Sequence, residues 1–223
     1  MVSGPELTFP GSFSPDGRYL AFDYTTPGTS SSDVWIRALD AGGEQRAVVA
    51  TEAQEFNGRF SPDGKRLFLV ADVWPGCAAD LDCNKKKDEA MEKGKMKAVL
   101  ADTLFVRRWD SWEDGKRTHI LRMDLADGKA PLVDLTPGGF DAPPFMLGGG
   151  RAYDFAPDGT SFVFMSNRDR DQALSTNADV WLVALDEPAS PKNLTDACDG
   201  WDGQPLFSPD GRSLAFYAAS DRT

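Results

Sequence analysis

Phe13-Ser14-Pro15-Asp16-Gly17 returns three times along the chain, as Phe60-Ser61-Pro62-Asp63-Gly64, Phe155-Ala156-Pro157-Asp158-Gly159 and Phe207-Ser208-Pro209-Asp210-Gly211. In each copy Pro presets φ for a turn and Gly supplies the positive φ that closes it. An apolar strand follows every time: Tyr19-Leu20-Ala21-Phe22, Leu67-Phe68-Leu69-Val70, Phe162-Val163-Phe164-Met165 and Leu214-Ala215-Phe216-Tyr217. A repeated strand-turn-strand unit cannot bury its apolar face alone, so the copies must stack on one another. The expected fold is all-β, a partial β-propeller.

The first unit reads strand by strand. After the turn come residues 19–24, then a Thr-, Gly- and Ser-rich loop, then Asp33-Val34-Trp35-Ile36-Arg37-Ala38-Leu39-Asp40, whose β-branched and aromatic content favours a strand. Arg46-Ala47-Val48-Val49-Ala50 follows as a third strand, and Asn57-Gly58-Arg59-Phe60 is taken as a fourth, running into the next motif. Four antiparallel strands make one propeller blade. Asp179-Val180-Trp181-Leu182-Val183-Ala184-Leu185-Asp186 repeats the second strand, Lys192-Asn193-Leu194-Thr195 the third and Gln204-Pro205-Leu206-Phe207 the fourth.

The gap between the second and third motifs is roughly double the others, yet holds one recognisable second strand, residues 118–125, and one third strand, residues 131–136. It therefore reads as one blade with an insertion over about residues 75–117. The whole chain, residues 1–223, reads as one partial propeller domain. It holds about three four-stranded blades plus the first strand of a further one, too few to close a ring. Within the insertion, residues 84–97 are Lys- and Glu-rich with Ala90, Met91 and Met96, the pattern of a short exposed helix that Gly94 weakens. Residues 104–115 mix two Trp with both charge signs. Insertions in repeat arrays gather on one face, often the binding face. The alternative is an edge ribbon packed by its Trp residues.

The formal net charge is −11, and an acidic surface repels phosphate backbones, which excludes nucleic acid as a partner. No apolar run approaches the ~20 residues of a membrane span, so no membrane partner is expected. Met1-Val2-Ser3-Gly4-Pro5-Glu6 has neither a charged n-region nor an apolar h-region. Both ends read as cut, and the chain as a fragment or truncated product. Open blade faces and unpaired edges would then invite self-association. Cys77 and Cys83 lie six apart in a polar loop. They fit either a small disulfide ring, which implies an oxidising compartment, periplasmic or secreted, or two free thiols, which leaves the cytoplasm open. Cys198 is left over.

Catalytic motifs are missing from the sequence. There is no Gly-x-Ser-x-Gly elbow and no phosphate-binding glycine loop. His119 is the one histidine and falls on an expected strand, where a structural role is the natural reading; a histidine-rich metal site is ruled out. Asn167-Arg168-Asp169-Arg170-Asp171 starts like a calcium loop but has Gln172 at the sixth place and Ala178 at the twelfth, so no EF-hand is expected. No catalytic residue, cofactor or metal is expected in this chain. The Asp of each Pro-Asp-Gly is read as a turn former.

With its Phe-Ser-Pro-Asp-Gly repeats and Asp-Val-Trp strands, the chain resembles the propeller of prolyl oligopeptidase-family serine peptidases, above all bacterial dipeptidyl and acylaminoacyl peptidases. Three segments carry the likeness: Val73-Trp74-Pro75-Gly76-Cys77 through Cys83-Asn84-Lys85-Lys86, then Arg107-Arg108-Trp109-Asp110-Ser111-Trp112-Glu113-Asp114-Gly115-Lys116-Arg117, then Trp201-Asp202-Gly203-Gln204-Pro205-Leu206-Phe207-Ser208-Pro209-Asp210-Gly211. The resemblance implies an N-terminal propeller capping a C-terminal α/β-hydrolase domain, absent here, that carries the catalytic Ser, Asp and His. Family propellers have about seven blades, so this chain departs from them. The propeller would admit short peptides and hold their N-termini. A free α-amine is cationic near neutral pH and calls for carboxylates beside aromatic walls. Asp110 and Glu113, walled by Trp109 and Trp112, are the substrate-binding candidates. The competing reading makes Glu113-Asp114-Gly115 a hairpin turn and the Trp residues packing. A rival from another class is a TolB-like propeller that binds a protein partner and catalyses nothing.

Overall fold

The structure, a computed structural model, describes residues 8–25, 31–40, 42–51, 53–95, 104, 107–108, 111–112, 114–125, 131–144, 153–198 and 200–219. Three four-stranded antiparallel sheets and the opening pair of a fourth follow one another along it. The first is β1 (Thr8–Phe13), β2 (Tyr19–Thr25), β3 (Ser32–Ala38) and β4 (Gln45–Val49). The second starts with β5 (Glu55–Phe60) and β6 (Arg66–Val73). The chain then makes helix α1 (Leu81–Lys93) and a two-residue ribbon, β7 (Arg107–Arg108) with β8 (Ser111–Trp112). It returns to the second sheet as β9 (Arg117–Asp124) and β10 (Val133–Asp134). The third sheet is β11 (Tyr153–Phe155), β12 (Ser161–Ser166), β13 (Asp179–Ala184) and β14 (Lys192–Asn193). The fourth opens with β15 (Trp201–Phe207) and β16 (Leu214–Ala219).

The phase of the repeat differs from the sequence reading in one respect. Residues 57–60 do not close the first blade; they belong to β5, which pairs with β6 in the second. The reason is the turn itself. A tight Ser-Pro-Asp-Gly turn is a hairpin, so it pairs the strand before it with the strand after it. Ser61 N–H donates to Arg66 O at 2.9 Å and Gly64 N–H to Ser61 O at 2.9 Å, and the other three copies repeat both bonds. Residues 204–207 likewise lie in β15, at the start of the fourth sheet.

All four turns share one build. Gly17, Gly64, Gly159 and Gly211 sit at φ of 70°, 69°, 70° and 69°, where a side chain would be strained. The Asp of each copy accepts the backbone N–H two residues on, at 3.0–3.1 Å. Ser14, Ser61 and Ser208 also donate their hydroxyls to it, and in the third copy, where Ala156 replaces Ser, Thr160 Oγ1 donates to Asp158 at 2.8 Å. The Asp residues are turn formers, as the sequence reading has them.

The core lies in the seams between sheets. Along β6, side chains alternate with the two-residue period of a strand. Leu67, Leu69, Ala71 and Val73 pack with Ala21, Val34, Ile36 and Val49 of the first sheet. Phe68 and Val70 pack with Tyr153, Phe155, Phe162 and Phe164 of the third. The second sheet is thus buried on both faces, whereas Phe9, Phe13, Phe216 and Tyr217 on the outer sheets stay exposed. Polar ties cross the same seams. Asp23 accepts from Asn57 N and Gly58 N at 3.0 and 3.4 Å. Arg59 donates to Tyr153 O at 2.6 Å and to Asp154 Oδ1 at 3.2 Å, and Asp154 Oδ2 accepts from Phe207 N at 2.9 Å. At Gly58 the strands approach so closely that a Cβ would lie 2.6 Å from Val34 Cγ1.

Candidate functional site

Antiparallel topology sorts the connections. The Ser-Pro-Asp-Gly hairpins sit at one end of the stack. The second strand of each sheet ends, and the third begins, at the other end: β2 leaves at Thr25, β6 at Val73 and β12 at Ser166. That second end also receives the links from β4 to β5, β10 to β11 and β14 to β15. It carries the insertion and is the candidate functional end.

The insertion is pinned down by its first half. Asp80 caps α1 by accepting Cys83 N–H at 2.9 Å, Asp82 and Lys93 complement the helix dipole at its two ends, and Gly94 terminates it. The sequence reading starts the helix at residue 84; the Asp80 cap brings the start forward to Leu81. Cys77 and Cys83 form a disulfide, which ties the entering loop to the first helical turn. Cys198 is exposed and takes no part in it. Buried Asn84 accepts Trp74 N–H at 2.7 Å and donates to Ala78 O and Asp80 O at 2.9 and 2.8 Å. Trp74 Nε1–H donates to Asp88 Oδ1 at 2.8 Å, Lys116 pairs with the same oxygen at 2.9 Å, and Lys87 Nζ lies 4.3 Å from the Trp74 ring. Trp74 is therefore a platform that fixes the helix against the second sheet.

A cavity of about 410 Å³ lies between α1 and the sheets, walled by Glu55, Asp72 and Val73 on one side and Asp82, Lys85 and Asp88 on the other. Glu55 is 1% exposed. It accepts Thr51 N–H at 3.3 Å and the Thr51 hydroxyl. Burial pushes its carboxyl up to about 7, helped by the charges of Asp33 and Asp72 and opposed by the Thr51 bonds. A buried carboxyl poised near neutrality beside an acidic cavity can hold a proton or face a cation.

The seam between the third and fourth sheets repeats this chemistry. Asp179 stands where Asp33 stands in the first Asp-Val-Trp strand. Asp202, like Glu55, precedes a positive-φ residue by two positions, Gln204 in one case and Asn57 in the other. Burial raises Asp179, with smaller contributions from the charges of Asp169 and Asp202. Sequence reasoning missed these pairs. Their signal was an acid five residues ahead of Phe60 and of Phe207.

Of the residues singled out from sequence, Trp109, Asp110 and Glu113 lie outside the described residues. Trp112 is described by its backbone alone, opposite Arg107 in the ribbon. His119 is fully buried, with Nδ1 2.7 Å from Asp134 Oδ2 and Nε2 3.1 Å from Gly138 O. Both ring nitrogens are engaged inside the second sheet, in a structural role. Among the described residues no cluster of His, Cys, Asp or Glu could hold a metal, and no helix is long and apolar enough to cross a membrane.

Stacked four-stranded sheets with hairpins at one end and insertions at the other define a β-propeller portion. The fold matches TolB from Acinetobacter baumannii (TM-score 0.55, 17% identity, 100% of this chain and 40% of that one). It also matches a prolyl endopeptidase (TM-score 0.53, 12% identity, 96% of this chain and 26% of that one). No protein-family model matches the chain. In sequence it is similar to dipeptidyl-peptidase 5 of Porphyromonas gingivalis, 27% identical over 163 residues, 71% of this chain and 22% of that protein. Dipeptidyl-peptidase 5 of Porphyromonas endodontalis is 26% identical over 208 residues, 90% of this chain and 28% of that protein. The expected likeness to the propeller portion of prolyl oligopeptidase-family peptidases is therefore found, in sequence and in fold. The chain spans less than a third of the length of these curated relatives.

Proposed function

We propose that this chain is the non-catalytic propeller portion of a serine exopeptidase that removes dipeptides from peptide N-termini. It gates and positions short peptides for an α/β-hydrolase domain. The observation that carries this reading is the sequence likeness to dipeptidyl-peptidase 5, spread over most of the chain. The absence of any nucleophile elbow from the sequence fits a portion that leaves the chemistry to another domain. Asp110 and Glu113, with Trp109 and Trp112 as walls, are the proposed amine-contacting group. The Cys77–Cys83 bond supports a periplasmic or secreted site of action.

The test uses the complete enzyme carrying this chain. It is expected to release dipeptides from free-amine chromogenic substrates, and Glu113→Gln and Asp110→Asn are expected to raise KM for these far more than for N-acylated ones. Equal effects on both substrate types would remove the two residues from the site, and no hydrolysis of either would overturn the peptidase reading. The likeness to TolB favours a second reading, a propeller that binds a protein partner without catalysis. That reading expects a complete protein with no hydrolase domain and no turnover.

A further inference from the structure

Most partly buried cations among the described residues find oxygens, although the Nε of Arg122, like that of Arg168, is buried without an acceptor. Arg59 meets Tyr153 O and Asp154, Lys116 meets Asp88, Arg117 meets Gly139 O and Arg122 meets Leu185 O. Arg168 does not. It leaves the end of β12 and folds back over aromatic rings: Trp181 at 4.4 Å, Phe140 at 5.4 Å and Phe164 at 5.7 Å from guanidinium carbon to ring centroid. It is half-buried, and its Nε is buried without an acceptor. Burial pulls its guanidinium down from the ordinary range, and no neighbouring carboxylate offsets that pull.

The surroundings make this unusual. The chain has an excess of acids, yet among the described residues none pairs with Arg168, and its sequence neighbour Asp169 and the Asp141 that follows Phe140 have other partners. Asp169 accepts from the Ser175 hydroxyl and faces Asn177 Nδ2 at 3.5 Å, and Asp141 Oδ1 accepts Thr118 N–H at 2.9 Å. Three rings hold a flat cation in one orientation and strip part of its water, which lowers the cost of binding an anion there. A guanidinium presents a planar fork of donors that matches a carboxylate. A net charge of −11 disfavours a doubly charged phosphate more than a singly charged carboxylate. The residue belongs to the β12–β13 link, at the same end of the stack as the insertion.

We propose that Arg168, seated on Phe140, Phe164 and Trp181, binds a carboxylate of a peptide ligand. The carboxylate class rests on the geometry; the choice of a peptide rests on the reading above. Two sources share this chemistry, a peptide's C-terminal carboxylate and an acidic side chain.

Calorimetry on the full chain separates them. The probes are tetra-alanine, its C-terminal amide, and the amide of Ala-Glu-Ala-Ala. Wild type is expected to bind at least one carboxylate-bearing probe about tenfold or more tightly than tetra-alanine amide, since charge-assisted bonds of this kind exceed that difference. Preference for tetra-alanine marks the C-terminal source, and preference for the Glu peptide marks the side-chain source. Arg168→Met is expected to lose the preference while melting as a folded protein. If it does not fold, Arg168→Lys decides: a preference cut about threefold or more supports the planar fork, and an undiminished one overturns the proposal. Equal or absent binding of all three probes by wild type also overturns it, as does a folded Arg168→Met that keeps the preference. Hydrolysis is not read, so this outcome is independent of the peptidase test.

Discussion

The two ends of the stack treat carboxylates in opposite ways. At the hairpin end, Asp16, Asp63 and Asp210 are held below the usual range, first by a Ser hydroxyl and then by backbone N–H groups, and Asp158 by the Thr160 N–H and hydroxyl. Every partner lies within a few residues. At the insertion end, burial raises Glu55, Asp179 and Asp23, and other acids push Glu55 and Asp179 further. Hairpin carboxylates are satisfied locally and serve the fold. Glu55, Asp179 and Asp23 are instead held by tertiary packing against their own ionisation.

Breaking a seam that both ends depend on is expected to have the largest effect. Asp154→Ala leaves Phe207 N–H without its acceptor and Arg59 without its acid, at a cost of about 2–4 kcal/mol. Chemical denaturation measures it, and a loss within error of zero would show that the seam is held by apolar contact alone.

Glu55→Gln sharpens the contrast through pH. The Glu55 carboxyl rises from 4.5 in the unfolded chain to about 7 in the folded one. Below the lower value both states are protonated. Between the two the unfolded chain releases its proton while the folded chain keeps it, so stability falls as pH rises, by as much as ~3 kcal/mol in all. The variant is expected to lack this fall and to be the more stable protein at pH 8. Parallel stability–pH profiles for the two proteins would contradict the burial of that charge.

Asp63→Ala at the hairpin end is expected to cost only about 1 kcal/mol. Its pH signature is opposite. The lowered carboxyl stabilises the fold above its unfolded value of 3.8 and loses that contribution as pH falls through the folded value. A penalty that grows on acidification would reverse the assignment.

The hairpin end was the part open to sequence reading. Four copies of one turn, each with Pro to set φ and Gly to take the left-handed region, name the fold before any coordinate. The phase of the blades was misread because the units were grouped from the motif onward, whereas the hairpin binds Phe60 to Leu67 across the turn. The helix was seen but started late, because Asp80 looked like one more loop acid until its carboxylate met Cys83 N–H. The insertion end was largely closed to such reading. Glu55 sits in a polar stretch with nothing to distinguish it, and becomes special only when α1 and the second sheet close over it. Arg168 drew notice within a failed calcium loop, while the rings that hold it come from residues 140, 164 and 181.

The most direct test of the difference between the ends is a map of where a peptide lands. Amide and indole NMR shifts of the isotopically labelled chain are followed while the dipeptide Ala-Ala is added. Shifts are expected at Thr51, Glu55, the Trp74 indole N–H and Arg168, with the turn amides of Gly17, Gly64, Gly159 and Gly211 unmoved. Shifts centred on those four glycines, with the insertion end silent, would contradict the assignment of ligand binding to the end that carries the insertion.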